Sequence, residues 1–213
     1  MIEIKDGTIA GRDGTTLFRS VSFDVTGSRI VGVTGAPGSG KTSLLRAFMG
    51  LRQLRTGHVT INGEPLLPAT RHLFVDLIGY LPQDLRLPRG TVDDLIDNML
   101  SLQSHEETRF SKKRLMNIWQ ELSLDEHLYE TQLADLTPSQ MRRVALSLLS
   151  FERRPYLIID TPTTVDDSYN DALATAACLH DMAMEGCAVL VATDDERIMS
   201  ACNAIITLEK EPA

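Results

Sequence analysis

Residues 30–50 read IVGVTGAPGSGKTSLLRAFMG and combine three local patterns in a row. The first five residues are a mostly apolar run, typical of a strand that is buried on both faces. Residues 35–42 then match the phosphate-loop pattern G-x-x-x-x-G-K-[ST] completely. The last part repeats apolar residues at helical spacing, with Leu44, Leu45 and Phe48 among them. A buried strand, a glycine-rich turn and an amphipathic helix in this order predict a loop that binds phosphate groups.

The residue types in this loop are those that phosphate binding requires. Glycines allow consecutive backbone N–H groups to turn inward around an anion. Lys41 can bring its charge to the β- and γ-phosphates of a nucleotide, and the Thr42 hydroxyl can bind Mg²⁺. The predicted nucleotide contacts are Gly35, Ala36, Pro37, Gly38, Ser39, Gly40, Lys41, Thr42 and Ser43. The predicted cofactors are therefore ATP or ADP together with Mg²⁺.

The composition of the 213 residues, 43% of them hydrophobic, is that of a globular protein. A formal net charge of -8 argues against a general nucleic-acid binder, which would present a basic face. The basic pairs Arg142-Arg143 and Arg153-Arg154 are expected to be solvated. Three cysteines without paired or metal-binding spacing indicate a reducing compartment. Because no apolar run is long enough to span a bilayer, we expect a cytoplasmic chain that reaches the membrane only through a partner.

Apolar periodicity along the rest of the chain predicts strands that alternate with helices. Strands are expected at 2–4, 17–25, 30–34, 75–81, 156–159, 188–192 and 204–208, a hairpin at Asn62-Gly63, and helices after the phosphate loop, across 91–136, from Pro138 and at 169–184. This order predicts an α/β fold whose core is a mostly parallel sheet flanked by helices. A small antiparallel β subdomain and an inserted helical lobe, with Trp119 in its interior, complete the predicted fold.

Four further segments occur in an order that resembles the nucleotide-binding domain of ATP-binding cassette (ABC) proteins over nearly the whole chain. They are IGYLPQD at 78–84, similar to the Q-loop; LTPSQMRRVAL at 136–146, at the signature segment; YLIIDTPTTVDD at 156–167, similar to the Walker B strand and D-loop; and VLVATDDERI at 189–198, at the switch region. The resemblance implies a phosphate-loop NTPase fold in a single domain over 1–213. Its nucleotide-binding core would be 1–84 and 153–213, and its helical lobe with the signature helix 85–152.

The resemblance also implies roles for individual residues. Asp160, Thr42 and Gln83 would hold Mg²⁺, and Gln83 would connect the metal site to the lobe. Gly11 or Arg12 would stand where the family has an aromatic residue that stacks on the base, and Arg12 would either stack through its guanidinium group or be solvated. Thr137, Ser139 and Gln140 would cover the nucleotide of a second monomer in a homodimer or heterodimer. An integral membrane subunit would dock near Gln83 and the lobe, where Leu85, Leu87 and Pro88 lie. Alternatively, most of these apolar residues form part of the lobe's own core.

Two departures from the family pattern affect hydrolysis. The family has Glu after the Walker B Asp, where this chain has Thr161. A positioned acid–base group contributes about 10²–10⁴ in rate, so its loss predicts slow hydrolysis. The switch histidine is replaced by Asp194. Beside the γ-phosphate this carboxylate adds like charge, about 4 kcal/mol at ~4 Å and an effective dielectric constant of about 20, unless it turns to solvent or binds a cation.

The signature segment departs as well, because LSGGQ is replaced by L-T-P-S-Q at 136–140. Pro138 removes a backbone donor and Ser139 adds bulk where close approach is needed. Thr137 followed by Pro138 is also a good helix start, so the segment has a second reading as a helix cap without phosphate contact.

Three interpretations follow from this sequence. The leading one is the ATP-binding subunit of an ABC transporter-like membrane complex, with weak or absent hydrolysis. The second is a non-hydrolysing structural or regulatory nucleotide-binding protein. The third is an active ATPase whose catalytic groups come from a partner subunit or from Asp166, Asp194 or Asp195.

Overall fold

The computed structural model describes residues 1–11, 14–86, 88–102 and 111–209. In chain order the elements are β1 (Ile2–Ala10), β2 (Thr16–Val25), β3 (Arg29–Thr34), α1 (Lys41–Phe48), β4 (Thr56–Ile61), β5 (Glu64–Pro65), β6 (Ile78–Leu81), α2 (Val92–Leu102), α3 (Lys112–Glu121), α4 (Pro138–Leu149), β7 (Tyr156–Asp160), α5 (Tyr169–Met184), β8 (Ala188–Ala192), α6 (Glu196–Met199) and β9 (Ala204–Thr207). Short 3₁₀ turns lie at Arg71–Leu73, Val75–Leu77, Glu126–Glu130 and Leu133–Asp135.

The described strands form two sheets. One is antiparallel, in the order β2-β1-β4-β5, and the other is parallel, in the order β6-β7-β8-β3-β9. The predicted α/β class, with a parallel core sheet and a small antiparallel subdomain, is confirmed. The hairpin between β4 and β5 turns at Asn62 and Gly63, where φ is 51° and 85°. Those two positive φ values are what a two-residue hairpin turn requires.

The parallel sheet separates two hydrophobic clusters, because successive side chains of a strand point to opposite faces. On β7, Leu157 and Ile159 face the cluster shared with the helical lobe and α5. Tyr156 and Ile158 face the other cluster, which holds α1 and the antiparallel sheet. The lobe helices therefore pack on the same core as β7 and β8.

Trp119 confirms the predicted core position. It is fully buried, and its Nε1 donates a hydrogen bond of 3.0 Å to Ser147 Oγ on α4. Among the described residues, no helix has both the length and the apolar character needed to cross a bilayer.

The strand predicted at 75–81 is shorter in the structure. It begins at Ile78, and Val75–Leu77 is a 3₁₀ turn instead. Val75 is 56% exposed, so its apolar side chain does not join the sheet interior. Val75 continues the apolar sequence pattern of the strand, but it lies before the residues that form backbone hydrogen bonds with β7. The pattern therefore predicts a longer strand than the structure contains.

The helical stretch predicted at 91–136 consists of two helices and two short turns. α2 and α3 carry the predicted periodicity, and 3₁₀ turns follow at Glu126–Glu130 and Leu133–Asp135. Residues 103–110 of this stretch lie outside the described residues.

Candidate functional site

A cleft of about 500 Å³ opens at the carboxyl ends of the parallel strands. Chain segments leave this edge from β3, β6, β7 and β8, and each segment places its first polar residues there. The residues that line the cleft are Leu17, Pro37, Gly38, Ser39, Gly40, Lys41, Thr42, Ser43, Gln83, Asp160, Thr161 and Asp194. The fold thus brings together the four residues expected at catalytic positions, Lys41, Gln83, Thr161 and Asp194. Gln83 and the other two predicted metal ligands, Thr42 and Asp160, line the same cleft.

The loop between β3 and α1 has the backbone that its glycines predict. Gly35, Gly38 and Gly40 have φ values of 146°, 80° and 101°, which residues with a Cβ rarely adopt. A Cβ at Gly35 would lie 2.5 Å from the carbonyl oxygen of Leu208. The loop is therefore built around glycine, with Ala36, Pro37 and Gly38 exposed at its rim.

Lys41 points back into the loop and toward β8. Its Nζ donates to the carbonyl oxygen of Gly35 and to Asp194 Oδ2, the latter at 2.7 Å. The other carboxylate oxygen, Oδ1, accepts from Thr34 Oγ1 at 2.9 Å and from the Gly35 N–H at 3.4 Å. Of the three orientations expected for Asp194, the structure shows the one that binds a cation, and the cation is the loop lysine.

This arrangement sets the charge of Asp194. Partial burial alone would raise the pKa of its carboxyl group, but hydrogen bonds from Lys41 and Thr34, with the charge of Lys41, lower the pKa overall. The carboxylate is thus ionised at neutral pH and is a weak proton acceptor.

Asp160 ends β7 and faces the start of α1. It is 2% exposed, and its Oδ2 has no hydrogen-bond partner within the described part of the chain. Burial raises the pKa of Asp160, and hydrogen bonds from Thr42 and Thr161 oppose that rise. A buried carboxylate oxygen without a partner, beside a threonine hydroxyl, is the kind of oxygen donor set that Mg²⁺ prefers.

The predicted metal ligands Thr42, Gln83 and Asp160 include a single carboxylate. Within the described ranges, no group of three or more His, Cys, Asp or Glu side chains could hold a metal ion. Mg²⁺ commonly binds to one or two carboxylates and to substrate phosphates, so the donor set fits Mg²⁺ bound with a nucleotide.

Thr161 occupies the cleft directly after Asp160. Its N–H donates to the Ala192 carbonyl oxygen at 2.9 Å, and its own carbonyl oxygen accepts from Arg142 at 2.7 Å. Its φ is 58°, a left-handed conformation that is unusual for a β-branched residue. The side chain at this position is a hydroxyl with no acid–base function near neutral pH.

The signature residues lie at the start of α4, not in the lining of the cleft. The Gln140 N–H donates to Thr137 Oγ1 at 3.2 Å, and the Thr137 N–H donates to Gln140 Oε1 at 2.9 Å. Ser139 is buried, and its Oγ accepts from Arg143 at 3.2 Å. These contacts form a capping box with Pro138 at the first turn, which confirms the predicted helix cap. Contact with the nucleotide of a second chain stays a prediction.

Two basic residues of α4 are buried, contrary to expectation. Arg142 and Arg143 were expected to be solvated, but they are 9% and 5% exposed. Arg143 pairs with Asp171 at 2.6 Å. Of the other pair, Arg153 is exposed as expected, whereas Arg154 is half-buried and pairs with Glu152 at 3.2 Å.

Arg142 joins two segments of the cleft. Its guanidinium donates to the carbonyl oxygens of Gln83 and of Pro82, the latter at 3.3 Å. The same group donates to Thr161. Helical spacing could have identified it, because Arg142 lies four and seven residues before the buried Leu146 and Leu149.

Asp195, one of the three acids considered above as a source of catalytic groups, is held by other side chains. It accepts from Arg197 at 2.8 and 2.7 Å and from Thr163 Oγ1 at 2.9 Å. These contacts connect the segment after β8 to the segment after β7. The Arg197 hydrogen bonds lower the pKa of Asp195, so this carboxylate is also a weak base. Arg12, predicted near the base, lies outside the described residues.

Comparisons with known proteins agree with this geometry. A family model described as ABC transporter matches residues 18–164. The chain is similar to the Fe(3+) ions import ATP-binding protein FbpC 2 of Pectobacterium atrosepticum, with 28% identity over 93% of this chain and 57% of that protein. It is similar to the cytochrome c biogenesis ATP-binding export protein CcmA of Vibrio cholerae, with 27% identity over 92% of each.

A solved structure shows the same fold. The chain matches the dimeric structure of MJ0796, described as a bacterial ABC transporter cassette, with a TM-score of 0.81 and 23% identity over 98% of this chain and 94% of that one. The chain spans little more than half the length of the iron-import relative. Because the family model covers well over half of its residues, the chain belongs to the ABC transporter family and has the fold of that family's ATP-binding domain.

Proposed function

We propose that this chain is the ATP-binding subunit of an ABC transporter-like membrane complex, and that it binds Mg-ATP or Mg-ADP with weak or absent hydrolysis. The observation that carries the proposal is the cleft itself. It combines the glycine-rich phosphate loop, Lys41 and the Asp160 oxygen that has no hydrogen-bond partner among the described residues. At the position where an acid would activate water, it has Thr161.

Nucleotide phosphates would bind to the loop at 35–43, with Lys41 on the β- and γ-phosphates. Thr42, Gln83 and Asp160 would hold Mg²⁺, which neutralises phosphate charge when it is bound. Arg12 remains a candidate contact to the base. The proposed organisation is a single domain at 1–213, with a nucleotide-binding core at 1–84 and 153–213 and a lobe at 85–152.

Slow hydrolysis is supported by the pairing of the nearby acids. A general base must be free to accept a proton from water. Asp194 is held by Lys41, and Asp195 is held by Arg197. These contacts argue against the alternative in which either acid replaces the missing glutamate. Asp166, which is exposed, and catalytic groups from a partner subunit remain the other routes to an active enzyme.

Two chains of this kind would pair head to tail, as a homodimer or heterodimer. Thr137, Ser139 and Gln140 would then approach the nucleotide of the second chain. In the capping box, the Thr137 and Gln140 side chains each accept a hydrogen bond from the other residue's backbone N–H. Because these oxygens are already engaged, we expect this side of the site to bind phosphate weakly. Light scattering with and without Mg-ATP measures the pairing, and a constant monomer mass would contradict it.

The membrane subunit would contact the lobe beside Gln83, which places the chain at the cytoplasmic face of the membrane. A cleft of about 640 Å³ lies there, lined in part by Leu85, Pro88 and Met141. Its rim carries the exposed cations Arg86 and Arg89. We propose that a short helix of the membrane subunit, with apolar and acidic residues, binds in this cleft. Leu87 belongs to the same segment but lies outside the described residues.

Charge reversal tests this contact. The double change Arg86→Glu and Arg89→Glu places acids opposite an acidic helix and should abolish co-purification with a co-expressed membrane subunit. The exposed Lys113→Glu change on α3 is the control and should leave co-purification intact. Loss of the complex in the control, or its retention in the double variant, would contradict the proposed site.

Nucleotide binding is tested by calorimetry on the purified chain and on Lys41→Ala. The wild-type chain should bind Mg-ADP in the micromolar range, as small-molecule sites commonly do, near -8 kcal/mol. Lys41→Ala should weaken binding by at least about tenfold, since it removes a charge-assisted contact worth roughly 1.5–3 kcal/mol. Lys113→Ala is the charge-matched control. Absence of binding to the wild-type chain would favour a structural protein that only retains the fold.

A further inference from the structure

We propose that Asp194 is an internal anion that selects the nucleotide by its phosphorylation state, so that this site favours a nucleoside diphosphate over a triphosphate. The inference rests on the proposed nucleotide binding and adds the ligand's chemical class. It concerns one side chain on the segment after β8, which reaches across the cleft to the phosphate loop.

The donors around Asp194 are those that would recognise a terminal phosphate. Its two oxygens accept from an ammonium group, a hydroxyl and a backbone N–H, on Lys41, Thr34 and Gly35. These are the three donor classes that a phosphate loop offers to phosphate oxygens. The carboxylate therefore satisfies the loop lysine in the way that a terminal phosphate would.

A triphosphate must compete with this carboxylate. Lys41 is the phosphate-binding cation of the loop, and a γ-phosphate would need it while Asp194 already holds it at 2.7 Å. If Asp194 stays, two anions share one ammonium group, and if it leaves, its ion pair and its hydrogen bond from Thr34 are lost. A diphosphate has no γ-phosphate, so Lys41 can donate its remaining N–H to the β-phosphate and still keep its ion pair with Asp194.

The neighbouring charges do not relieve this competition. Arg197 is the next cation on the segment after β8, and it pairs with Asp195 through two hydrogen bonds. The Asp194 side chain is 55% exposed, so solvent screens the repulsion and reduces it well below its value in a dry site. A preference of about tenfold for the diphosphate is the expected size.

The test compares Mg-ADP and Mg-ATP affinity by calorimetry in the wild-type chain, Asp194→Asn and Asp24→Asn. Asparagine keeps the shape and one acceptor oxygen of Asp194 but removes its charge. Asp24 is exposed on β2 and gives the same change in net charge as a control. We expect the wild-type chain to prefer Mg-ADP by about tenfold and Asp194→Asn to lose most of that preference through tighter Mg-ATP binding. Asp24→Asn should behave as the wild type.

The outcomes separate this inference from the proposed function. If both nucleotides bind in a Lys41-dependent way but Asp194→Asn leaves their affinity ratio unchanged, the selector role is wrong and the proposed function stands. If the wild-type chain binds neither nucleotide, both are wrong. Thermal unfolding of each variant shows whether it is folded, and Asp194→Ala gives a second charge-removing variant if Asp194→Asn is not.

Discussion

Thr161 replaces the glutamate that the family has at this position, and its backbone conformation is unusual. A left-handed conformation costs an L-residue roughly 1–2 kcal/mol, because Cβ comes too close to the following carbonyl oxygen. Thr161 adopts φ of 58° nonetheless, between the Ala192 carbonyl oxygen on one side and the Arg142 guanidinium on the other. The surrounding contacts therefore impose the conformation, and the side chain does not favour it.

Substitution by Gly and by Ala isolates this backbone cost. Both changes remove the hydroxyl, and only Ala keeps a Cβ. At an ordinary φ, Ala is more stable than Gly by about 0.5–1 kcal/mol. At this left-handed position, Thr161→Gly should instead be more stable than Thr161→Ala by about 1 kcal/mol, measured by urea unfolding. The usual order, with Ala more stable, would show that residue 161 is not held in the left-handed region.

For a single residue, the sequence predicts its location when the residue belongs to a local motif. Lys41, Thr42 and Asp160 lie in the cleft as predicted, because each belongs to a motif next to a strand or helix end. The partner of Lys41 could not be predicted from the sequence. Asp194 is 153 positions away, and only the order of β3 and β8 in the sheet brings the two side chains together.

At the element scale, α4 shows both the strength and the limit of periodicity. Its start at Thr137 and Pro138 follows from capping chemistry and is confirmed. The burial of Arg142 also agrees with helical spacing. Two adjacent arginines are nevertheless predicted to be exposed to solvent unless their hydrogen-bond acceptors are known. Those acceptors are backbone carbonyl oxygens of Gln83 and Thr161, which no side-chain pattern in the sequence reveals.

Arg142 has a consequence for the arrangement of the elements. It is a buried cation on a lobe helix, and it connects the segment after β6 to the segment after β7. Its burial disfavours the charged form and lowers its pKa, while the charges of Asp160 and Asp167 oppose that shift. The lobe is thus attached to the cleft at the two segments that carry Gln83 and Thr161.

At the scale of the whole molecule, the class of the fold is predictable and its assembly is not. Alternating strands and helices predict a parallel sheet. They do not give the strand order, in which β3 lies between β8 and β9 although it precedes both by more than 150 residues. That order creates the cleft, since it places the phosphate loop beside the segment that carries Asp194.

We propose that this chain binds nucleotide but turns it over poorly, because Thr161 follows Asp160 at the position where an acid would activate water. The direct measurement is steady-state phosphate release at saturating Mg-ATP, compared between the wild-type chain and Lys41→Ala, with nucleotide occupancy measured on the same samples. We expect the wild-type rate to stay close to that of Lys41→Ala, despite bound nucleotide, because a missing acid–base group slows hydrolysis by about 10²–10⁴. A brisk wild-type rate that disappears in Lys41→Ala would show that another group activates the water and that hydrolysis is not impaired.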